Sequence, residues 1–324
     1  MRILITGGTG FIGKQLAQRL LDLGTLALDG QAPRTVERIV LFDAFDGEGV
    51  PSDPRLEVVT GDISDAPTLA RITDGIDLVW HLAAVVSSAA EADFDLGMQV
   101  NLHGLMTLLE TLRQQGRAPR LVYASGFAVF GGVLPHVVND DTALTPQSSY
   151  GMQKAVGELL VADYARKGFI DGRVLRLPTI AVRPGKPNKA ASTFFSSIIR
   201  EPLAGLPAVC PVRPDTPVYL SSPRRAVESM LLAMTLAPEA LGNQRVIPLP
   251  GLTTTVADMV AALERVAGPD AVKLIRWEPD ATIQRIVESW PSRVEAPYAR
   301  SLGFKADPDF DTLIRAHIED TAAH

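Results

Sequence analysis

The opening thirteen residues constrain this chain more than any other stretch. Arg2–Thr6 is a short run rich in isoleucine and leucine that passes without a spacer into Gly7-Gly8-Thr9-Gly10-Phe11-Ile12-Gly13. The glycines fall where a strand must turn into a helix. Gly7 permits the tight turn, Gly10 lets backbone N–H groups approach a pyrophosphate, and Gly13 lets the helix pack close to the strand. A glycine triplet alone carries little information, but in this strand–turn–helix setting it predicts a dinucleotide site contacted by Gly7, Gly10, Phe11, Ile12 and Gly13.

The pattern repeats downstream. Arg38–Asp43, Leu56–Thr60, Leu78–Leu82, Arg120–Ala124 and Arg173–Leu177 read as further strands separated by helical stretches. Near-continuous apolar strands with helical crossovers predict an α/β fold, a Rossmann-type doubly wound parallel sheet covered on both faces. Beyond residue 180, prolines at 184, 187, 202, 207, 211, 214, 217 and 223 break the chain into short pieces. The expected division is therefore a nucleotide domain over 1–180 and a smaller C-terminal substrate-binding lobe over 181–324. Val256–Val266 and Phe310–Ile318 look helical, and Arg245–Leu249 reads as a strand returning to the main sheet.

Charge and cysteine content narrow the partners. With 31 Lys plus Arg against 37 Asp plus Glu the chain is mildly acidic, and it has no basic tract for a run of phosphates, so nucleic acid is not expected. Cys210 stands alone, which excludes an intramolecular disulfide and a cysteine-based zinc cluster; no metal is expected, and a reducing cytoplasm fits. The N-terminal apolar run is too short for a signal peptide, and no segment approaches the roughly 20 apolar residues of a membrane helix. The expected partner is a small-molecule substrate.

Further candidates line the strand ends. Asp43 closes the second strand, where a carboxylate accepts hydrogen bonds from the adenosine ribose and repels a 2′-phosphate, favouring NAD over NADP. The interval from Gly13 to Asp43 is longer than usual, and the loop Leu26–Thr35 accommodates the excess. Asp62 and Ile63 follow the third strand, with Asp62 in reach of the adenine amino group and Ile63 on its ring. Leu82, Ala83 and Ala84 end the fourth strand with mostly small residues against which the cofactor would lie. His81, inside an apolar strand, reads as a packed core histidine and not as a catalyst.

Tyr150 and Lys154 stand at i and i+4 on the predicted helix Ser149–Arg166, so their side chains share one face. Tyrosine, with an ordinary pKa of about 10, is a poor base at neutral pH. An adjacent ammonium and an oxidised nicotinamide both stabilise its phenolate. Tyr150 is thus the candidate base, with Lys154 supporting it and holding the nicotinamide ribose. The strand end at Ala124-Ser125 precedes them in the order such chemistry requires.

With these motifs in sequence order, the chain resembles the extended short-chain dehydrogenases/reductases, the family of sugar-nucleotide epimerases and dehydratases. Within that family, Leu177-Pro178-Thr179-Ile180, Arg183–Asn188 and Ile199–Gly205 are similar to a branch that oxidises four-carbon sugar acids at C2 with NAD. The resemblance implies that Asn101, Ala124, Pro178, Thr179 and Ile180 border the cofactor and that Asn188 faces the substrate. It also implies a homodimer paired through helices around Met98–Arg113 and Ser149–Arg166. The family strand usually ends Ser-Ser, its second serine bonding the reacting oxygen, whereas this chain has Ser125-Gly126-Phe127. Ser125, or a water, is expected to substitute, beside Gly126 and Phe127 at the substrate. Val218 and Leu220 replace cationic and imidazole groups of that branch, predicting a more apolar substrate wall, while Arg224 remains as a candidate anion ligand. The alternatives left open are an epimerase that retains NAD, an enzyme acting on a more apolar alcohol or ketone, and an NAD-binding protein without turnover.

Overall fold

The computed structural model describes residues 1–185 and 191–322. Seven strands form one sheet: β1 (Arg2–Thr6), β2 (Arg38–Asp43), β3 (Leu56–Thr60), β4 (Leu78–His81), β5 (Arg120–Gly126), β6 (Asp171–Leu177) and β7 (Val246–Pro248), in the order β7-β6-β5-β4-β1-β2-β3. β1 is paired in parallel with β2 on one side (Ile3 opposite Ile39) and with β4 on the other (Ile3 opposite Leu78). The chain order reverses beside β1, and in such sheets a crevice opens there at the carboxyl ends of the strands. The glycine turn leaves β1 at that end.

Two compact units divide the chain, and they interleave in sequence. The first comprises Met1–Gly126, Ser148–Arg176 and Val227–Ile247; the second comprises Phe127–Gln147, Leu177–Ala226 and Pro248–His324. In the first, the residues between the helix Phe11–Leu23 and β2 form a short antiparallel hairpin, Thr25–Leu26 with Arg34–Thr35. This is where the excess length before Asp43 resides. Its Asp29 accepts two hydrogen bonds from Arg120 Nη2 (2.7 and 2.9 Å), and Arg120 also donates to Asp171 (2.8 Å) and to the Met234 carbonyl (2.8 Å). A buried guanidinium is tolerated only when paired in this way.

In the second unit, Pro217–Ser221 lies between Leu252–Thr255, antiparallel, and Thr179–Ile180, parallel. Helices Phe194–Leu203, Val256–Ala267 and Phe310–Ala322 supply Phe195, Met259 and Leu313 to its apolar core. Among the described residues no helix is long and apolar enough to cross a membrane.

The helix Ser149–Arg166 is capped by Ser148, whose hydroxyl accepts from the Gly151 N–H (3.1 Å). Its buried face is not an apolar stripe: it carries Gln153, Lys154, Gly157 and Glu158. Gly157 has a steric reason, because a Cβ there would collide with the Tyr123 hydroxyl on β5. Alanine in a helix interior is favoured over glycine by about 1 kcal/mol, while overpacking a filled interior costs about 1–3 kcal/mol. Gly157→Ala is therefore expected to lower stability by about 1 kcal/mol in urea unfolding; a raised midpoint would mean that Tyr123 yields freely.

Candidate active site

The glycine turn is built by close backbone approach. Gly7 has φ +68°, and a Cβ on it would lie 2.7 Å from the Ala83 nitrogen and 2.8 Å from the Leu82 carbonyl carbon. Leu82 thus leaves β4 to pack with Ala83 against Gly7, its N–H donating to the Thr6 carbonyl (3.0 Å). At Gly13 a Cβ would meet the Gly7 oxygen at 2.5 Å. The helix Phe11–Leu23 begins at Gly10 with no side-chain cap, leaving first-turn amides at its positive end free to bind a diphosphate. This cradle fits a dinucleotide, with Gly7, Gly10, Phe11, Ile12 and Gly13 forming it.

Asp43 reaches the same turn: its Oδ2 accepts from the Thr9 N–H (3.2 Å) and its Oδ1 from that of Ala44 (2.8 Å). Asp62 forms a local turn, its Oδ1 accepting from the Ser64 N–H and hydroxyl, each at 2.8 Å. The Ile63 side chain is buried in the core against Gly104, whose missing side chain makes the room. Asn101 is buried in a π-helical turn, Met98–His103, and its amide bridges neighbouring protein groups. Its Oδ1 accepts from the Val85 N–H (2.8 Å), and its Nδ2 donates to the Val85 carbonyl (3.0 Å) and Gln153 Oε1 (2.8 Å).

At the ends of β4 and β5 the chemistry gathers. Lys154 is 2% exposed, and its Nζ donates to the Ala124 carbonyl (2.8 Å), 4.7 Å from the Tyr123 ring centre and 5.6 Å from that of Tyr150. Burial pushes its pKa down to about 8, against the opposing pull of Glu158. His81 is a core residue, hydrogen-bonded through Nδ1 to Thr6 Oγ1 (2.7 Å) and stacked on Tyr123. Burial, and then the Lys154 charge, push its pKa down to about 3, so it stays neutral.

Ser125, on β5, is bonded to the helix Ser149–Arg166. Its hydroxyl donates to Glu158 Oε1 (2.6 Å), so in this arrangement its proton is turned away from a substrate oxygen. Arg176 grips the same carboxylate: Nε lies 3.0 and 3.1 Å from the two oxygens and Nη2 2.7 Å from Oε2. Glu158 and Arg176 were not among the sequence candidates. The signal for Glu158 was its place at i+4 from Lys154, and for Arg176 a cation inside an apolar strand.

The remaining candidates belong to the second unit. Thr179 and Ile180, after Pro178, pair with Leu220 and Ser221. Phe127 packs edge-on against Tyr219, with ring centres 5.2 Å apart. Asn188 lies outside the described residues. Val218 and Leu220 form no apolar substrate wall: they are 3% and 0% exposed and belong to the unit's core. Their apolarity answers to packing, which removes the basis for an apolar substrate. Arg224, the candidate anion ligand, is hydrogen-bonded to Glu319 (3.0 Å) and Asp320 (2.7 Å).

Residues 3–216 match the NAD dependent epimerase/dehydratase family. The D-erythronate dehydrogenase of Cupriavidus necator is 56% identical over 321 residues, spanning 99% of this chain and 98% of that protein. The D-erythronate dehydrogenase of Haemophilus influenzae is 43% identical over 320 residues, 98% of this chain and 99% of that one. Among solved structures, the nucleoside-diphosphate-sugar epimerase from Agrobacterium tumefaciens is 42% identical with a TM-score of 0.94, covering 100% of this chain and 95% of its own.

The position of Asp43 yields a test of cofactor choice. Asp43→Asn is expected to lower the NAD-over-NADP ratio of kcat/KM about tenfold, equivalent to roughly 1.4 kcal/mol of lost repulsion. An unchanged ratio would remove Asp43 from the ribose site.

Proposed function

This chain belongs to the NAD dependent epimerase/dehydratase family and is an NAD-dependent oxidoreductase, and from that premise we propose that it oxidises D-erythronate at C2 to the 2-oxo acid. The observation that carries the substrate is the 56% identity to the Cupriavidus necator enzyme along nearly the whole of both chains. Epimerisation is the less favoured reading, because the more similar relative is a dehydrogenase.

NAD, when bound, supplies the acceptor for the hydride that leaves C2. Gly7, Gly10, Phe11, Ile12 and Gly13 hold its diphosphate and Asp43 its adenosine ribose, with Leu82, Ala83, Ala84 and Ala124 as backbone walls. Pro178, Thr179 and Ile180 are proposed to border the nicotinamide. Tyr150, as phenolate, takes the proton from the C2 hydroxyl; its oxygen–hydrogen bond forms as the carbon–oxygen double bond does. Lys154 supports the phenolate by its charge. Gly126 leaves room beside the reacting oxygen, and Ser125 acts on that oxygen only by releasing Glu158. Asn188 is kept as a proposed substrate contact on the strength of the family resemblance.

The cation matters most on the alkaline side. With its pKa pushed down to about 8 by burial, Lys154 loses its proton as the pH rises through that value, and turnover is expected to fall there. We also propose a cytoplasmic homodimer. The buried, solitary Cys210 is consistent with a reducing compartment, and Met106 and Leu159 are exposed on the helices Gly104–Gln115 and Ser149–Arg166. Sedimentation at the mass of one chain would sink the dimer.

The decisive assay follows NADH absorbance with D-erythronate, L-threonate and sugar uronates. Turnover of D-erythronate is expected, with Tyr150→Phe slower by about 10²- to 10⁴-fold. Retained NAD with no net NADH would favour the epimerase instead.

A further inference from the structure

Tyr150, Lys154 and Glu158 recur every fourth residue, so their side chains rise along one helix face a turn apart. Glu158 is 1% exposed and Lys154 2%. Such burial is costly for a carboxylate unless its lone pairs are filled. Here they are filled by the Arg176 fork and by Ser125. A packing role alone would be served as well by apolar side chains of similar volume, which often match or exceed a buried ion pair in stability. The pair stands one turn from an ammonium that donates to a neutral carbonyl, that of Ala124.

We propose that Glu158, gripped by Arg176, is a positioning residue that keeps the Lys154 ammonium charged and aimed beside Tyr150. The inference rests on reading Tyr150 and Lys154 as the catalytic pair. Two links carry it. Glu158 supplies the negative charge that favours the ammonium, and through Ser125 it fixes the end of β5, where the Ala124 carbonyl receives Nζ.

The other groups facing Lys154 do not supply that charge. From β4, His81 is neutral; from β5, the Tyr123 hydroxyl is held neutral by burial; Tyr150 lies on the same helix, and Arg176 on β6 is a cation beyond Glu158. Glu158 is the carboxylate whose charge acts on Lys154, raising its pKa against burial.

The test titrates Lys154 directly, by carbon-13 NMR of lysine-labelled chain without NAD, with Lys154→Met to assign the signal. Glu158→Gln is expected to move the midpoint down by about one pH unit or more, and the alkaline limb of kcat should move with it. Glu158→Asp should restore part of the shift. Because Glu158→Gln strands the Arg176 charge, the double variant Glu158→Leu/Arg176→Met is measured alongside. It removes both charges while filling the space, and its Lys154 midpoint should also fall. An unmoved midpoint in either folded variant overturns the proposal. Absence of D-erythronate turnover by the parent chain would count against the substrate while leaving this titration readable.

Discussion

Removing an ammonium from water carries a penalty of several kcal/mol even after a protein relaxes around it, and Lys154 sits almost wholly inside the first unit. Much of the local architecture follows from that burden. A carbonyl at the end of β5 takes its hydrogen bond, the Tyr123 ring faces it, and a carboxylate one turn along the helix opposes the loss of its charge. That carboxylate needs Arg176 on β6 and the Ser125 hydroxyl on β5. Gly157 is then required, because only a residue without a side chain lets the helix lie this close to Tyr123. One charged group thus ties a helix to strand ends that apolar packing alone would leave free to shift.

At the carboxyl ends of β1 and β4 the same economy of space holds. Gly7 and Gly13 are close-packed against backbone, not against side chains, so the turn has no slack. The first-turn amides after Gly10 have no side-chain cap and stay available for a diphosphate. Asp43, reaching back to the Thr9 N–H, joins the end of β2 to this turn. The sheet order, reversing at β1, gathers these pieces on one edge.

What was legible in the sequence was what periodicity and glycine spacing encode. The six main strands, the returning strand near Val246, and the helix bearing Tyr150 and Lys154 all follow from local pattern, with boundaries moved by a few residues. What local pattern leaves out shares a cause: a side chain's direction depends on its neighbours in space. Ile63 follows a strand end in the expected place, yet a glycine 41 positions along offers it a niche in the core. Asn101 has the right chemistry for a ligand, but a π-helical turn aims it at Val85. Val218 and Leu220 looked like an altered binding wall because composition does not say which face of a strand is inside. Glu158 was hidden because a glutamate on a helix is ordinarily solvated, and its burial is made tolerable by Ser125 and by Arg176, eighteen residues later.

The orientation of Ser125 bears on why glycine is tolerated at 126. A donor to the reacting oxygen contributes most when negative charge accumulates there; losing one such donor in an acyl-transfer site costs about 2.7–4 kcal/mol. Alcohol oxidation need not build that charge. If the proton reaches Tyr150 as the hydride leaves C2, the oxygen passes from hydroxyl to carbonyl with little anionic character between, and a donor has correspondingly less to stabilise. The requirement then shifts from the oxygen to the base: the phenolate must be present and aligned before the hydride departs. A chain that engages its strand-end serine with Glu158, and Glu158 with the lysine beneath the tyrosine, places its polar contacts where that requirement lies.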